Sequence, residues 1–423
     1  MYSEERANKL FSESGVLVFI FLFTIFSGAL RKWVISDQLT GNIIFGLQLV
    51  MPFLFLLCGW KKVSNLYHHT IFILYLLLLL IEAFNPLNLS WIHGSLGFLI
   101  HSGFWFAMYY YITNRHLFIL GNLGVIVVVA SLMLILVYIQ YSLPPDHLLN
   151  KYVDEKKVSG ISTVGDRVRV TGTFSYIGGF SSYLVFHIFF IWALIRRNAF
   201  PLLIAFLLAG GLIAAFMSGS RGTTFGYILI VLLMTLNEYK TFEIGSMLSR
   251  IFLPICIIGT VLLLVGDFDI TDNLGTAYQN FENRRISLKE SGEEQSRLFW
   301  DINQIIDFRG KYPIFGVGLG ATYQGAIAIM GESEYVKEYG YYESELARYI
   351  LEGGFLLLFF KIILSIDLLS KLYLPRVVKF FLFVMIFNFY FVVFNVYNAV
   401  FAFLSIIILE QSYLQRVKSK FPV

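Results

Sequence analysis

About twelve apolar runs, each near the ~20 residues that a helix needs to cross a bilayer, fill most of this chain and leave little polar sequence for anything else. They fall at about 14 to 30, 41 to 60, 69 to 86, 92 to 112, 118 to 141, 175 to 195, 199 to 217, 222 to 237, 249 to 266, 346 to 370, 377 to 393 and 394 to 412. With 57% hydrophobic and 14% charged residues, a water-soluble domain could not cover its own surface with polar groups. The expected fold class is an all-α integral membrane protein of about 12 transmembrane helices, with a large extracytoplasmic loop carrying short amphipathic helices. Three parts are expected: a bundle over 1–266, the loop over 267–345, and helices with a tail over 346–423. Met1 to Glu13 is polar, and no small-residue cleavage site follows the first apolar run, so that helix is expected to remain.

Lysine and arginine set the orientation. Lys61 and Lys62, Arg115, Arg196 and Arg197, Lys240 and Arg250, Lys371 and Arg376, and the tail with Arg416, Lys418 and Lys420 all take one side if every run crosses. That side is the cytoplasm, and both termini are expected there. The net charge of +4 is dispersed among these connections, and no basic tract points to nucleic acid. Cys58 and Cys256 both lie in apolar runs, where no disulfide can be presumed, and no metal-ligand spacing occurs. No cofactor or metal is expected. The scattered histidines, among them His93, His101 and His187, are expected to be interfacial or hydrogen-bonded packing residues.

The same parity places several segments outside. Ser218-Gly219-Ser220-Arg221-Gly222 joins two apolar runs, and its permanently charged guanidinium beside small residues reads as an anion-binding group or as a side chain snorkelling to the headgroups. Arg31-Lys32-Trp33 is a basic outer turn, either an interfacial anchor or a group facing a lipid-linked phosphate. A medium loop runs from about Tyr141 to Phe174, and a long one from about Asp267 to Glu345. Within the long loop, Pro313 precedes Gly316, Gly318 and Gly320, glycines that let backbone approach a ligand or another segment closely. A nucleotide loop is disfavoured, since no alternating strand and helix surrounds it. After Tyr341 and Tyr342, Glu343 sits where the chain leaves water, so a half-buried carboxylate there reads either as a base or as one of several charges that pair and solvate the helix start. Glu345, Arg348 and Glu352 share one helix face. Glu82, followed by Asn85-Pro86, could line a cavity or mark a helix end.

The order of these features resembles the O-antigen ligase and polymerase superfamily, integral-membrane glycosyltransferases of the bacterial cytoplasmic membrane. Ser220-Arg221-Gly222 is similar to its arginine motif at an outer helix end, and Arg169-Val170-Thr171-Gly172-Thr173-Phe174 to its Arg-x-x-Gly-Thr-Phe motif. Ser296-Arg297, then Pro313 and Gly316 to Gly320, is similar to part of its long external loop. One departure stands out: where ligases of this family carry a His-Asn pair, this chain has Glu343 and Ser344. That favours a polymerase or another glycan-joining enzyme over a ligase.

The resemblance implies transfer of a glycan from a polyprenyl-diphosphate donor to a sugar hydroxyl on an acceptor glycan, most simply polymerising surface polysaccharide repeats, with ligase-type transfer as the alternative. Arg221 and Arg169 would neutralise the departing diphosphate, with Arg297, Arg31 and Arg348 as further candidates, and Tyr342 would stack on sugar. Glu343, then Glu345, would take the acceptor's proton. The implied partners are the two glycans, the bilayer and a chain-length regulator. A carrier is the rival from another class, but the two halves show no internal repeat.

Overall fold

The computed structural model describes residues 12–35, 37–118, 123–152, 168–238, 275, 279, 314–339, 345–388 and 396–420. Among these residues the chain is helical and forms no β-strand. In order, the helices are α1 (Glu13–Ala29), α2 (Gln38–Val50), α3 (Trp60–Ser64), α4 (Thr70–Ala83), α5 (Trp91–Thr113), α6 (Leu123–Ser142), α7 (Ile177–Arg196), α8 (Pro201–Met217), α9 (Arg221–Glu238), α10 (Gln324–Met330), α11 (Glu334–Tyr339), α12 (Glu345–Lys371), α13 (Arg376–Asn388) and α14 (Val396–Lys420). Each apolar run read from the sequence falls on one of them, except 249 to 266, which lies outside the described residues.

Among the described residues six helical stretches are long and apolar enough to cross a membrane: Glu13–Val34, Leu39–Cys58, Leu123–Ser142, Ile177–Arg196, Glu345–Lys371 and Val396–Gln415. Lys62–His68 and Thr70–Ala83 form a pair bent by 97°, which brings the number to seven if the pair counts as one span. Among the described residues, α8 falls short with 17 residues, and α5 spends its 23 residues partly on serine, glycine and the histidines His93 and His101; 249–266 and 389–395 lie outside the described residues.

Local chemistry sets several helix starts. Ser12 Oγ accepts from the Gly15 amide at 3.2 Å before α1, Asp37 Oδ1 from the Thr40 amide at 2.8 Å before α2, and Ser90 Oγ from the His93 amide at 3.3 Å before α5. Pro201 opens α8, where its missing N–H is no loss.

The chain packs into two compact units. The first comprises residues 1–20, 47–118 and 289–403, and the second residues 21–46, 119–288 and 404–423. In the first, α5 is buried on every face from Phe104 to Tyr111, which suits a helix whose surroundings are protein on all sides. α4 packs along it, and α12 packs on α4 and α13.

α12 is not a straight rod. Gly354 takes φ 63° and ψ −166°, a conformation open to glycine alone, and the helix folds back there. Residues sixteen apart on a straight helix would stand about 24 Å from each other, yet Glu345 and Lys361 form a buried ion pair across this break. The glycine-rich segment 314–323 fills the notch. Val317 and Gly318 donate amide hydrogen bonds to the Leu351 and Glu352 carbonyls at 2.8 and 2.9 Å, and the Leu356 amide donates to Ile314 at 3.3 Å. A Cβ on Gly316 would strike the Leu351–Gly353 backbone, and one on Gly320 the His93 carbonyl. Of the two readings of these glycines, close approach to another segment is what the structure contains.

Gly97 meets Gly320 and Leu319 from the other side, with no space for a methyl group. Gly97→Ala is therefore expected to lift the 314–323 segment and lower stability by about 1–3 kcal/mol, read as a lower thermal midpoint of the purified protein.

The opposite end of this unit gathers basic residues. Arg115 Nη2 donates to the Lys371 carbonyl at 2.8 Å, Lys371 Nζ reaches Asp367 at 2.6 Å and His69 at 3.2 Å, and Asn114 donates to the Lys62 carbonyl at 3.4 Å. Lys62, Arg115 and Lys371, assigned to one side from sequence parity, thus share one end of this unit. In the second unit, Arg196 Nη1 donates to Glu238 at 2.6 Å and lies 3.3 Å from the Tyr413 ring centre, closing the ends of α7, α9 and α14 together.

Candidate functional site

At the other end of the second unit, three separate stretches of sequence meet. α1 runs into a π-helical turn, Leu30–Val34, which turns Lys32 inward. Lys32 is 7% exposed, and its Nζ donates to Thr171 Oγ1 at 2.9 Å and to the Gly172 carbonyl at 3.0 Å. Beside it, Arg31 Nη1 donates to Ser175 Oγ at 3.2 Å and its guanidinium lies 5.1 Å from the Phe45 ring centre. Gly28 permits this approach, because any Cβ there would collide with the Thr173–Ser175 backbone.

The turn at Gly172 is held from a second direction. Gly172 takes φ 56°, its amide donates to Gln140 Oε1 at 2.8 Å, and Gln140 Nε2 donates to its carbonyl at 2.9 Å. Thr173 Oγ1 donates to the Ile25 carbonyl at 2.7 Å. The Arg-x-x-Gly-Thr-Phe stretch is thus clamped onto the end of α1, with Lys32 and Arg31 along it.

Arg169 extends the assembly to the arginine motif. Its Nε and Nη2 donate to the Ser218 and Gly219 carbonyls at 3.2 and 3.4 Å, and Tyr152 Oη donates to the Arg169 carbonyl at 2.7 Å. The Arg169 side chain also lies against Gly219, whose φ of 62° turns the chain toward Ser220. Ser220 then caps α9: its Oγ accepts from the Thr223 amide at 3.5 Å and from Thr223 Oγ1 at 2.9 Å. Thr223 Oγ1 also donates to Ser181 Oγ at 2.7 Å on α7. Arg221 is the first residue of α9, where helix N-termini favour anions.

Three of the candidates read from the sequence, Arg31, Arg169 and Arg221, therefore belong to one end of one unit. Arg169 contributes there as a brace for the turn before Arg221. Lys32 is the residue that sequence reasoning underrated. It lies four positions after Gly28, hence on the same helical face, and that face is the buried one. Among the described residues no carboxylate pairs with Arg31 or Lys32. Lys32 Nζ also lies 5.1 Å from the Trp33 ring centre, and holding a charge at so buried an amine is costly unless an anion is near to offset it.

The first unit holds the acidic candidates. Glu343, Tyr342 and Arg297 lie outside the described residues, and Arg348 stands partly exposed on α12. Glu345 is 2% exposed and ion-paired with Lys361, whose ammonium lies 4.1 Å from the Tyr349 ring centre. The pair ties the two sides of the break in α12 together.

Glu352 is held more fully still. Fully buried, it accepts from the Gly320 amide at 2.7 Å, the Thr322 amide at 2.9 Å and Thr322 Oγ1 at 2.5 Å, and lies 3.0 Å from His101 Nε2. His101 packs edge-on against Tyr349. Four partners leave Glu352 a structural anchor that ties the glycine-rich segment to α5 and α12. The histidines follow the expectation of hydrogen-bonded packing residues: His93 Nδ1 lies 2.9 Å from Ser90 Oγ, and His187 Nδ1 lies 3.4 Å from Tyr227 Oη.

No known protein family, curated protein or solved structure matches the chain. The residues themselves therefore carry the functional argument.

Proposed function

We propose that this chain is a membrane glycosyltransferase that joins a glycan, carried on a polyprenyl diphosphate, to a sugar hydroxyl of an acceptor glycan, most simply in polymerising repeat units of a surface polysaccharide. The observation that carries this reading is the cationic end of the second unit, where Arg31, Lys32 and the N-terminus of α9 beginning at Arg221 gather around the turn at Thr171–Ser175.

The chemistry suits that charge. The acceptor oxygen attacks the anomeric carbon, the bond from that carbon to the diphosphate oxygen breaks, and its electron pair leaves with the diphosphate. Negative charge therefore grows on the leaving group, and fixed cations stabilise the transition state more than the ground state. The attacking hydroxyl loses its proton to a general base as it attacks, and displacement inverts the anomeric centre. In this reading Lys32, Arg31 and Arg221 meet the diphosphate, and Arg169 keeps the turn before Arg221 in place.

The topology proposed with it has about twelve spans, both termini in the cytoplasm and 267–345 outside, in the cytoplasmic membrane of a bacterium. The purified chain, reconstituted in liposomes with a polyprenyl-diphosphate oligosaccharide, is expected to yield joined glycan. Movement of the substrate across the bilayer without joining would show a carrier and end this reading.

A further inference from the structure

A groove of about 880 Å³ opens in the first unit where α4 ends, walled by residues 80–87 and by the docked segment 314–316. Its volume lies within the range of sites that hold small ligands, roughly 300–1,000 Å³. The walls are apolar and open: Ile81 is 64% exposed, Phe84 76%, Ile314 57% and Phe315 51%. Glu82 is the one ionisable side chain that lines the groove.

Glu82 is 1% exposed, and its two oxygens are treated differently. Oε2 accepts from Asn85 Nδ2 at 3.0 Å, whereas Oε1 is buried with no donor in reach among the described residues. Asn85 also reaches toward the Phe315 and Gly316 carbonyls at 3.5 Å, so the two walls of the groove meet at this carboxylate. An unsatisfied buried acceptor costs about 1–3 kcal/mol, more when charged, and proteins rarely leave one without a partner. The apolar walls offer no donor, and Glu82 lines the groove, so an occupant there stands beside the carboxyl group and is in place to supply one.

The same walls define that occupant. They want hydrocarbon, and the carboxylate at the point where a span gives way to the polar turn Asn85–Ser90 wants a single donor. A neutral hydroxyl fits better than an ammonium, which would add its own desolvation cost. A protein partner fits poorly, because the exposed side chains of α4 belong to a helix of membrane-spanning composition, which suits hydrocarbon.

We propose that this groove binds the hydrocarbon chain of a hydroxyl-bearing lipid, with Glu82 Oε1 accepting the hydrogen bond of the lipid hydroxyl. The proposal is independent of glycosyl transfer, and either can fail without the other.

Equilibrium binding of radiolabelled 1-dodecanol and of its methyl ether to the full chain in phosphatidylcholine nanodiscs tests it, with empty nanodiscs as background. The two probes share a tail and differ in the donor. Saturable binding is expected, tighter for the alcohol by about 10-fold, as for one well-made hydrogen bond. Glu82→Leu is expected to erase that preference, Glu82→Gln to reduce it, and Ile81→Trp, which fills the groove, to weaken both probes. Equal affinity for the two probes, an unchanged preference in Glu82→Gln, or no saturable binding above empty nanodiscs would each overturn the proposal and leave ordinary bilayer contact. If Glu82→Leu does not fold, Glu82→Gln and Ile81→Trp decide the matter.

Discussion

Arg221→Ala is expected to lower the rate of glycan joining by about 100- to 1,000-fold, the usual loss when one fixed group that stabilises developing charge is removed. The first turn of α9 survives the change, since Ser220 still caps it and Thr223 still bonds Ser181. Arg221→Lys is expected to recover only part of the rate, because an ammonium supplies charge without the planar fork that grips two phosphate oxygens. Lys32→Met probes the same site from the other side. Gln140 continues to hold Gly172 by both its amide and its carbonyl, so the turn persists while the buried charge is gone. Rates from a gel-based assay of joined glycan, with thermal midpoints of each variant, separate loss of chemistry from loss of fold. Wild-type rates in both Arg221→Ala and Lys32→Met would remove this site from the reaction.

Glu352→Ala is expected to destabilise the protein by about 3–5 kcal/mol, since deleting one member of a buried hydrogen-bonded pair strands the other. Here the stranded groups are the Gly320 and Thr322 amides, the Thr322 hydroxyl and His101. The damage reaches beyond the carboxylate, because those bonds fasten the glycine-rich segment into the break of α12. Glu352→Gln is expected to cost less, as its carbonyl oxygen still accepts from one pair of donors while its amide nitrogen opposes the other. Thermal unfolding in detergent reads both. A change of less than about 1 kcal/mol in Glu352→Ala would mean that these bonds hold little, since even one net hydrogen bond contributes that much.

How much of this was legible in the sequence differs by kind of feature. Helices announced themselves through apolar runs of spanning length, and the Arg31, Arg169 and Arg221 stretches, far apart in the sequence, do meet at one end of a unit. The reversal at Gly353–Gly354 was hidden, because apolar sequence continues on both sides and the run reads as one span. Its trace is Lys361: an ammonium deep in an apolar run needs an acid, and Glu345 supplies it only if the helix folds back. The partnership of His101 with Glu352 joins positions 251 residues apart, beyond the reach of any periodicity. The alternating glycines signalled close approach, but the surface approached was a helix notch that only the tertiary fold creates. Lys32 was grouped with Arg31 in a basic outer turn with two readings and not named among the site residues, although its spacing from Gly28 already put it on the inward face.

The central claim is that the cationic end of the second unit receives a diphosphate, and equilibrium binding tests it most directly. Purified wild-type chain, Lys32→Met and Arg221→Ala would each be titrated with a polyprenyl diphosphate and with the corresponding polyprenol. The account predicts that wild-type prefers the diphosphate by at least about 10-fold, roughly one charge-assisted contact, and that each substitution removes most of that preference while polyprenol binding stays unchanged. Equal affinity of the wild-type chain for both lipids, or a preference that survives both substitutions, would contradict it.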